Sequence, residues 1–219
     1  MNNWLEARKT VLDTAREMCA KGLVVGNSGN ISLRLPPDGK TGLMAITPTS
    51  RHYDTLDYND IPIIDFNGKN VEGKLKSSVE TPLHIAIYRA RKNVNAVIHT
   101  HSVFASAVAV AGLTIPPILL DQVLFLGGEI KSSGGALVTT PEQIKGFILA
   151  LGDRSAALIP NHGAVGTGKT MRDAFTACEL IEKTARIFLL ALGAGKVNPL
   201  PQDVVDLEKS AYDKLQARA

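Results

Sequence analysis

Short apolar segments that alternate with helical patterns restrict the fold of this chain more than any other feature of its sequence. Apolar residues recur at helical spacing in residues 3–21, and Gly22 is a natural helix stop after them. Further helices are predicted at residues 81–91, 103–111, 141–151, 171–192 and 202–216, and strands at residues 43–47, 61–66, 94–98, 136–139 and 156–160. Residues 26–34 are predicted to form a glycine-rich turn that runs into a short strand. Thr81 is the predicted N-cap of the second helix, with Pro82 at its first position. The alternation predicts an α/β fold in a single domain over residues 1–219 and leaves the sheet topology open.

Composition excludes several classes of function. The net charge is +3 with Lys and Arg spread along the chain, so we expect no nucleic-acid partner. The charged N-terminus does not resemble a signal peptide, and the longest apolar stretch, residues 103–120, is interrupted by Ser106 and two prolines. We therefore expect no membrane partner. Cys19 and Cys178 lie in helical patterns and are predicted to be buried free thiols of a cytoplasmic protein.

Three of the five histidines follow apolar strand patterns. His99 and His101 stand two apart at the end of one strand, so both side chains are expected on the same face. His162 follows a second apolar strand that could present it to the same point. Three imidazoles that leave an open position are typical of a catalytic zinc site. His84, one helical turn after Glu80, is expected to be a supporting or packing residue, and His52 to be exposed.

The chain resembles the class II aldolase/adducin family. The motifs that carry the resemblance are GNSGNIS, ITPTS, EGKLKSSVE, NAVIHTH and NHG, and the spacings from Glu80 to His99 and from His101 to His162 also match. The resemblance implies a three-layer α/β/α domain around a mostly antiparallel central sheet. It also implies a homotetramer with active sites between neighbouring subunits.

The same resemblance implies a function and a set of site residues. His99, His101 and His162 would hold one Zn²⁺ or another divalent ion, and Glu80 would be the acid/base. The enzyme would be an aldolase that cleaves a phosphorylated ketose, similar to L-fuculose 1-phosphate, to dihydroxyacetone phosphate and an aldehyde through a zinc-stabilised enediolate. Hydrogen-bond donors for the substrate phosphate would come from Gly29, Asn30, Thr49, Ser50 and Ser78.

Departures from the family pattern concern the substrate. Val79 replaces a second serine before Glu80, Ser50 replaces a glycine, and Leu120 stands where the family has a tyrosine from a neighbouring subunit. Tyr212 lies near, but out of register with, a tyrosine in the family's C-terminal tail, and is a tentative substrate residue. The sugar therefore stays open. So do a 4-epimerase, which needs an extra acid near Leu124 for which Asp121 is out of register, a decarboxylase and a dehydratase using the same metal centre.

A second motif points to a different class of protein. Residues 163–170, GAVGTGKT, satisfy the P-loop pattern, in which Lys169 would contact nucleotide phosphates and Thr170 a magnesium ion. The segment after it reads as two helices, with no strand to carry a downstream magnesium ligand. A nucleotide-binding protein is therefore a remote alternative, and a glycine-rich hairpin before a long helix is the expected structure.

Overall fold

A computed structural model of the chain describes residues 4–38, 41–135 and 138–217. The helices in these residues are α1 (Leu5–Ala20), α2 (Thr81–Ala90), α3 (Val103–Val110), α4 (Leu120–Leu126), α5 (Pro141–Leu151), α6 (Met171–Gly193) and α7 (Gln202–Ala217). The strands are β1 (Asn30–Asp38), β2 (Thr41–Ile46), β3 (Ile63–Asp65), β4 (Asn70–Glu72), β5 (Ala96–Thr100), β6 (Lys131–Ser132), β7 (Ala156–Ile159) and β8 (Gly163–Gly168).

All these strands belong to one sheet, in the order β4-β3-β2-β1-β5-β8-β7-β6. Every neighbouring pair is antiparallel except β6 and β7, which are parallel. Near the centre of the sheet, β5 pairs with β1 on one side and β8 on the other, so that Asn30 and Val165 are both opposite His99. The predicted mostly antiparallel sheet is confirmed.

Helices cover both faces of the sheet because the central strands are apolar on both sides. Ile98 faces the layer that contains α1 and α6, and its neighbour Val97 faces the layer that contains α2 and α5. Helices α3 and α4 pack in the same layer as α6, over the β7 end of the sheet. The fold is therefore the expected three-layer α/β/α arrangement. Within residues 4–38, 41–135 and 138–217, no helix combines the length and apolar character needed to cross a membrane.

The differences from the sequence predictions lie in short or exposed elements. All three residues of strand β4 are exposed and β6 has two residues, so neither shows an apolar pattern, and α4 has only seven residues. The strand predicted at residues 136–139 begins outside the described residues, and Val138 and Thr139 are not in a strand. Helix α2 has Glu80, not Thr81, at its N-cap, and the Thr81 hydroxyl donates to the Ser78 carbonyl.

The P-loop alternative is wrong, because residues 163–168 form strand β8. Its backbone pairs with β5 on one side and β7 on the other, so its N–H groups are not arranged to surround a phosphate. Thr170 instead caps α6, where its hydroxyl accepts from the Asp173 amide at 3.1 Å. Lys169 donates to the Leu215 carbonyl in α7. Helix α6 approaches the strand most closely at Gly168, the glycine directly before Lys169, where an added Cβ would lie 2.3 Å from the Ala174 nitrogen.

We predict that Gly168→Ala lowers the free energy of unfolding by about 1–3 kcal/mol, because the new methyl group overlaps the backbone of α6. The matched control is Gly146→Ala in the middle of α5, where an added Cβ meets no described atom within 4 Å. This control should gain roughly 0.5–1 kcal/mol, since alanine favours the helix. Denaturant unfolding of both variants measures the difference, and equal stabilities would contradict the close packing of β8 on α6.

Candidate active site

Three histidine side chains meet at one end of the central strands. His99 is the fourth residue of β5 and fully buried, His101 follows the end of β5, and His162 lies in the turn between β7 and β8. The Nε2 atom of His99 is 2.9 Å from Nε2 of His101 and 3.2 Å from Nε2 of His162. The structure therefore brings together the three histidines that the sequence places after two different strands.

The backbone brings His162 to this point through a tight turn. Asn161 has a φ of 55°, in the left-handed region that asparagine tolerates better than most residues. The His162 amide donates to the Ile159 carbonyl at 3.1 Å and closes the turn. The next residue, Gly163, has no room for a side chain, because an added Cβ would lie 2.1 Å from the Thr100 carbonyl oxygen. Asn161 and Gly163, on either side of His162, therefore allow the tight turn that brings the third imidazole to the cluster.

The protonation of the cluster fits a cation. The Ala164 carbonyl lies 3.0 Å from Nδ1 of His99 and can only accept, which assigns a proton to Nδ1 and leaves Nε2 with a lone pair. Burial lowers the pKa of His99, and burial together with His99 and His162 lowers the pKa of His101 to about 4. Both rings are therefore neutral near pH 7. The ligand nitrogens of His99, His101 and His162 all lie within 4.8 Å of one another and can share one metal ion.

Glu80 lies beside the imidazole cluster. Its Oε2 is 3.4 Å from Nε2 of His99 and its Oε1 is 3.8 Å from Nε2 of His162. Asn30 donates from Nδ2 to Oε2 at 2.5 Å. Burial raises the pKa of this carboxyl, whereas the Asn30 hydrogen bond lowers it, and the net direction is downward. The position at the N-terminus of α2 also favours a negative charge, and Glu80 is expected to be ionised near neutral pH.

A line of buried polar residues continues behind Asn30. Oδ1 of Asn30 is 2.5 Å from Nε2 of His84, and Nδ1 of His84 is 2.6 Å from Oγ of Ser32. The Tyr88 hydroxyl is 2.7 Å from the same Oγ. The sequence predicted a supporting role for His84 but not the roles of Ser32 and Tyr88. The one indication of these two residues in the sequence is that Ser32 lies two positions after Asn30, and Tyr88 two helical turns after Glu80. His52, by contrast, is exposed as predicted.

An open cleft of about 290 Å³ leads to this centre. One loop meets the segment before α2 through bonds from Thr49 N to the Lys76 carbonyl and from Ser78 N to the Thr47 carbonyl, which form one wall. Gly29 and Ser50 have φ values of 71° and 56°, which turn their backbones in ways that favour glycine. The cleft is lined by Glu80, His101, His162, Val79 and all five predicted phosphate residues. Four further lining residues were not predicted from the sequence: Asn27, Pro48, Val138 and Thr139.

Three residues considered for the site lie outside the lining of this cleft. Tyr212 of α7 is buried, donates to the Asp153 carbonyl at 2.9 Å and contacts Oγ of Ser155 at 3.0 Å. It anchors α7 to the fold, and the structure does not bring it to the histidines. Leu120 and Asp121 begin α4. Asp121 forms an ion pair with Lys183 at 2.5 Å, which gives it a partner other than a substrate.

Comparison with known proteins agrees with this geometry. Residues 9–189 match the family described as Class II Aldolase and Adducin N-terminal domain. The chain is 35% identical to the L-fuculose phosphate aldolase of Escherichia coli over 92% of each chain. It is 30% identical to the 5-deoxy-D-ribulose 1-phosphate aldolase of Bacillus thuringiensis serovar kurstaki, over 91% of this chain and 92% of that one.

The fold is similar to a solved L-fuculose 1-phosphate aldolase, with a TM-score of 0.87 and 26% identity, over 95% of this chain and 96% of the other. The match therefore covers the histidine cluster, Glu80 and the walls of the cleft. On these grounds the chain belongs to the class II aldolase and adducin family.

Proposed function

We propose that this chain is a metal-dependent aldolase that cleaves a phosphorylated ketose, similar to L-fuculose 1-phosphate, to dihydroxyacetone phosphate and an aldehyde. The observation that carries the proposal is the meeting of three imidazole Nε2 atoms with the Glu80 carboxyl group at the end of an open cleft. The two curated relatives above are named as aldolases of phosphorylated sugars and support the same reaction class.

His99, His101 and His162 would hold the metal, with Nδ1 of His99 fixed by the Ala164 carbonyl. Three imidazole ligands suit Zn²⁺, although other divalent ions also accept nitrogen ligands. An ion held there would supply Lewis-acid stabilisation for negative charge on the substrate's oxygens. We propose one ion per chain.

Glu80 would move the proton that the reaction requires. The bond that breaks joins the α and β carbons of the ketose. Its electron pair stays on the α carbon, beside the carbonyl, and the β carbon departs as an aldehyde. The Glu80 carboxylate would accept the hydroxyl proton of the departing carbon and deliver a proton to the carbon left behind, and so return to its starting state. The Asn30 hydrogen bond holds Oε2, which keeps the carboxylate near the imidazoles.

Thr49, Ser50 and Ser78, with the backbone of Gly29, would bind the substrate phosphate. Asn30 was predicted to join them, but its side-chain amide is bonded to Glu80 and His84 instead. These donors line the same cleft as Glu80 and are neutral, and several hydrogen bonds to a charged acceptor add up. Val79, which is 64% exposed, contributes no donor from its side chain. The hydroxyls of Thr49 and Ser50 lie 3.4 Å apart and can both face one anion.

The homotetramer stays a prediction from the resemblance. Exposed apolar side chains on α3 and α4 are compatible with contacts between subunits: Val103 is 67%, Val110 63% and Leu120 52% exposed. Leu120 stands where the family has its interface tyrosine, so a neighbouring subunit would present an apolar side chain in its place.

We predict that the purified protein carries about one divalent ion per chain, and that His99→Ala or His162→Ala loses most of it, because each removes one of three ligands. His52→Ala is the control, since His52 is exposed and its variant should keep the metal. Elemental analysis of the three dialysed variants measures the content. Full occupancy in the two cluster variants would refute the assignment.

We predict that Glu80→Gln keeps its metal and fold but loses turnover by roughly a hundredfold or more, because an amide of the same shape cannot exchange a proton. The control is Glu142→Gln, an exposed glutamate in the first turn of α5. Steady-state cleavage rates measure the effect. Near-normal turnover in Glu80→Gln would remove this residue from the reaction.

We predict that Ser78→Ala lowers kcat/KM for a phosphorylated ketose by roughly ten- to a hundredfold, the cost of one hydrogen bond to a charged group. The matched unphosphorylated ketose should be little affected and serves as the internal control. Product analysis in the same assay separates dihydroxyacetone phosphate from an epimer, a dehydrated product or CO₂. Equal rates for both ketoses in both proteins would show that the cleft does not bind phosphate.

A further inference from the structure

The polar residues behind Glu80 come from two elements whose repeats match in length. Asn30 and Ser32 are two apart in β1, and Glu80, His84 and Tyr88 are four apart along one side of α2. Two residues of a strand advance by about 6.6 Å and four residues of a helix by about 6 Å. The two rows therefore interleave, and all five residues are at least nine-tenths buried.

The hydrogen bonds between these rows can be satisfied in one direction. The Asn30 amide donates from Nδ2 to Oε2 of Glu80, and its oxygen, which can only accept, faces His84. Nε2 of His84 must then carry a proton. Burial lowers the pKa of His84 to about 3, so its ring is neutral and Nδ1 is an acceptor.

The outer residues complete the same pattern. The Ser32 hydroxyl donates to Nδ1 of His84, and its oxygen can accept from the Tyr88 hydroxyl, which also lies 3.3 Å from the Asn95 carbonyl. Each donor from Ser32 onwards thus points towards Glu80. The His84 tautomer is the reverse of that in His99, where Nδ1 carries the proton.

We propose that His84 is a positioning residue for the reaction: its Nε2–H fixes the Asn30 amide so that nitrogen, not oxygen, faces the Glu80 carboxylate. This inference rests on the proposed role of Glu80. His84 is fully buried and is absent from the lining of the cleft, so it acts through Asn30 and does not contact the substrate. Without this donor, Oδ1 of Asn30 is buried with no hydrogen-bond partner, and the amide is no longer held in line with Oε2 of Glu80.

The test compares three substitutions at this position and beyond it. His84→Leu has a similar volume but no donor, and should lower kcat roughly ten- to a hundredfold, the scale of a misplaced catalytic group, with KM and metal content near wild type. His84→Gln should recover much of the loss, because its amide offers both a donor and an acceptor. Ser32→Ala removes the hydroxyl that sets the tautomer but leaves the His84 ring in place, and should lower kcat less. His52→Leu is the exposed control and should leave kcat unchanged.

A second measurement does not depend on turnover. The ¹⁵N shifts of His84 in the wild-type protein should report a neutral ring protonated at Nε2 between pH 5 and 8, a window above its pKa of about 3. A proton on Nδ1, or a doubly protonated ring, would overturn the proposal. So would an unchanged kcat in folded, metal-loaded His84→Leu, or a Gln variant no better than Leu.

The outcomes separate this inference from the proposed function. If the wild-type protein cleaves no phosphorylated ketose, the proposed function fails, and the ¹⁵N shifts still decide how the Asn30 amide is held. If His84→Leu does not fold, Ser32→Ala and the wild-type shifts carry the test. If the wild-type protein is active and both His84→Leu and Ser32→Ala have a normal kcat, the role of His84 is refuted and the aldolase reaction stands.

Discussion

The contact between the backbone of β5 and two glycines is the constraint on which the site depends. An added Cβ at Gly29 would lie 2.5 Å from the His99 carbonyl oxygen, and one at Gly163 would lie 2.1 Å from that of Thr100. Gly29 directly precedes Asn30, and Gly163 directly follows His162. Larger residues at either place would push the neighbouring chain away from β5. The hydrogen bond to Glu80 and the third imidazole would then move away from His99 together.

The site also opposes the stability of the fold. A carboxylate that is only 7% exposed loses most of its hydration. Nε2 of His99 lies 2.9 and 3.2 Å from Nε2 of His101 and of His162, so lone pairs at these atoms repel one another when no cation lies between them. The Asn30 amide and the N-terminus of α2 offset part of the first cost. A bound cation would offset both. The arrangement thus resembles other functional sites, where polar groups are held in positions that a purely structural core would avoid.

Sequence predicted the long helices and central strands because their apolar periodicity is local. It also predicted the histidine cluster, since each member follows an apolar strand. It could not predict the network behind Glu80, because pairing Asn30 and Ser32 with α2 requires knowing which helix covers β1. Tyr212 was a tentative substrate residue because of its position near the C-terminal end of the chain. That position does not reveal that the side chain lies against Ser155. The P-loop letters failed for a related reason: the glycines of β8 are needed for their small volume, and none has a positive φ.

Because the polar residues of β1 and α2 are matched in spacing, neither segment can gain or lose a residue without separating its partners. One residue inserted between Glu80 and His84 would rotate everything after it by about 100° around the helix axis, and one inserted between Asn30 and Ser32 would turn the serine to the opposite face of the sheet. The hairpin tip at Gly68 has no such limit, because an added Cβ there meets no described atom within 4 Å. Changes of chain length among relatives are therefore expected to collect at such tips and to be absent from the two segments that hold Glu80.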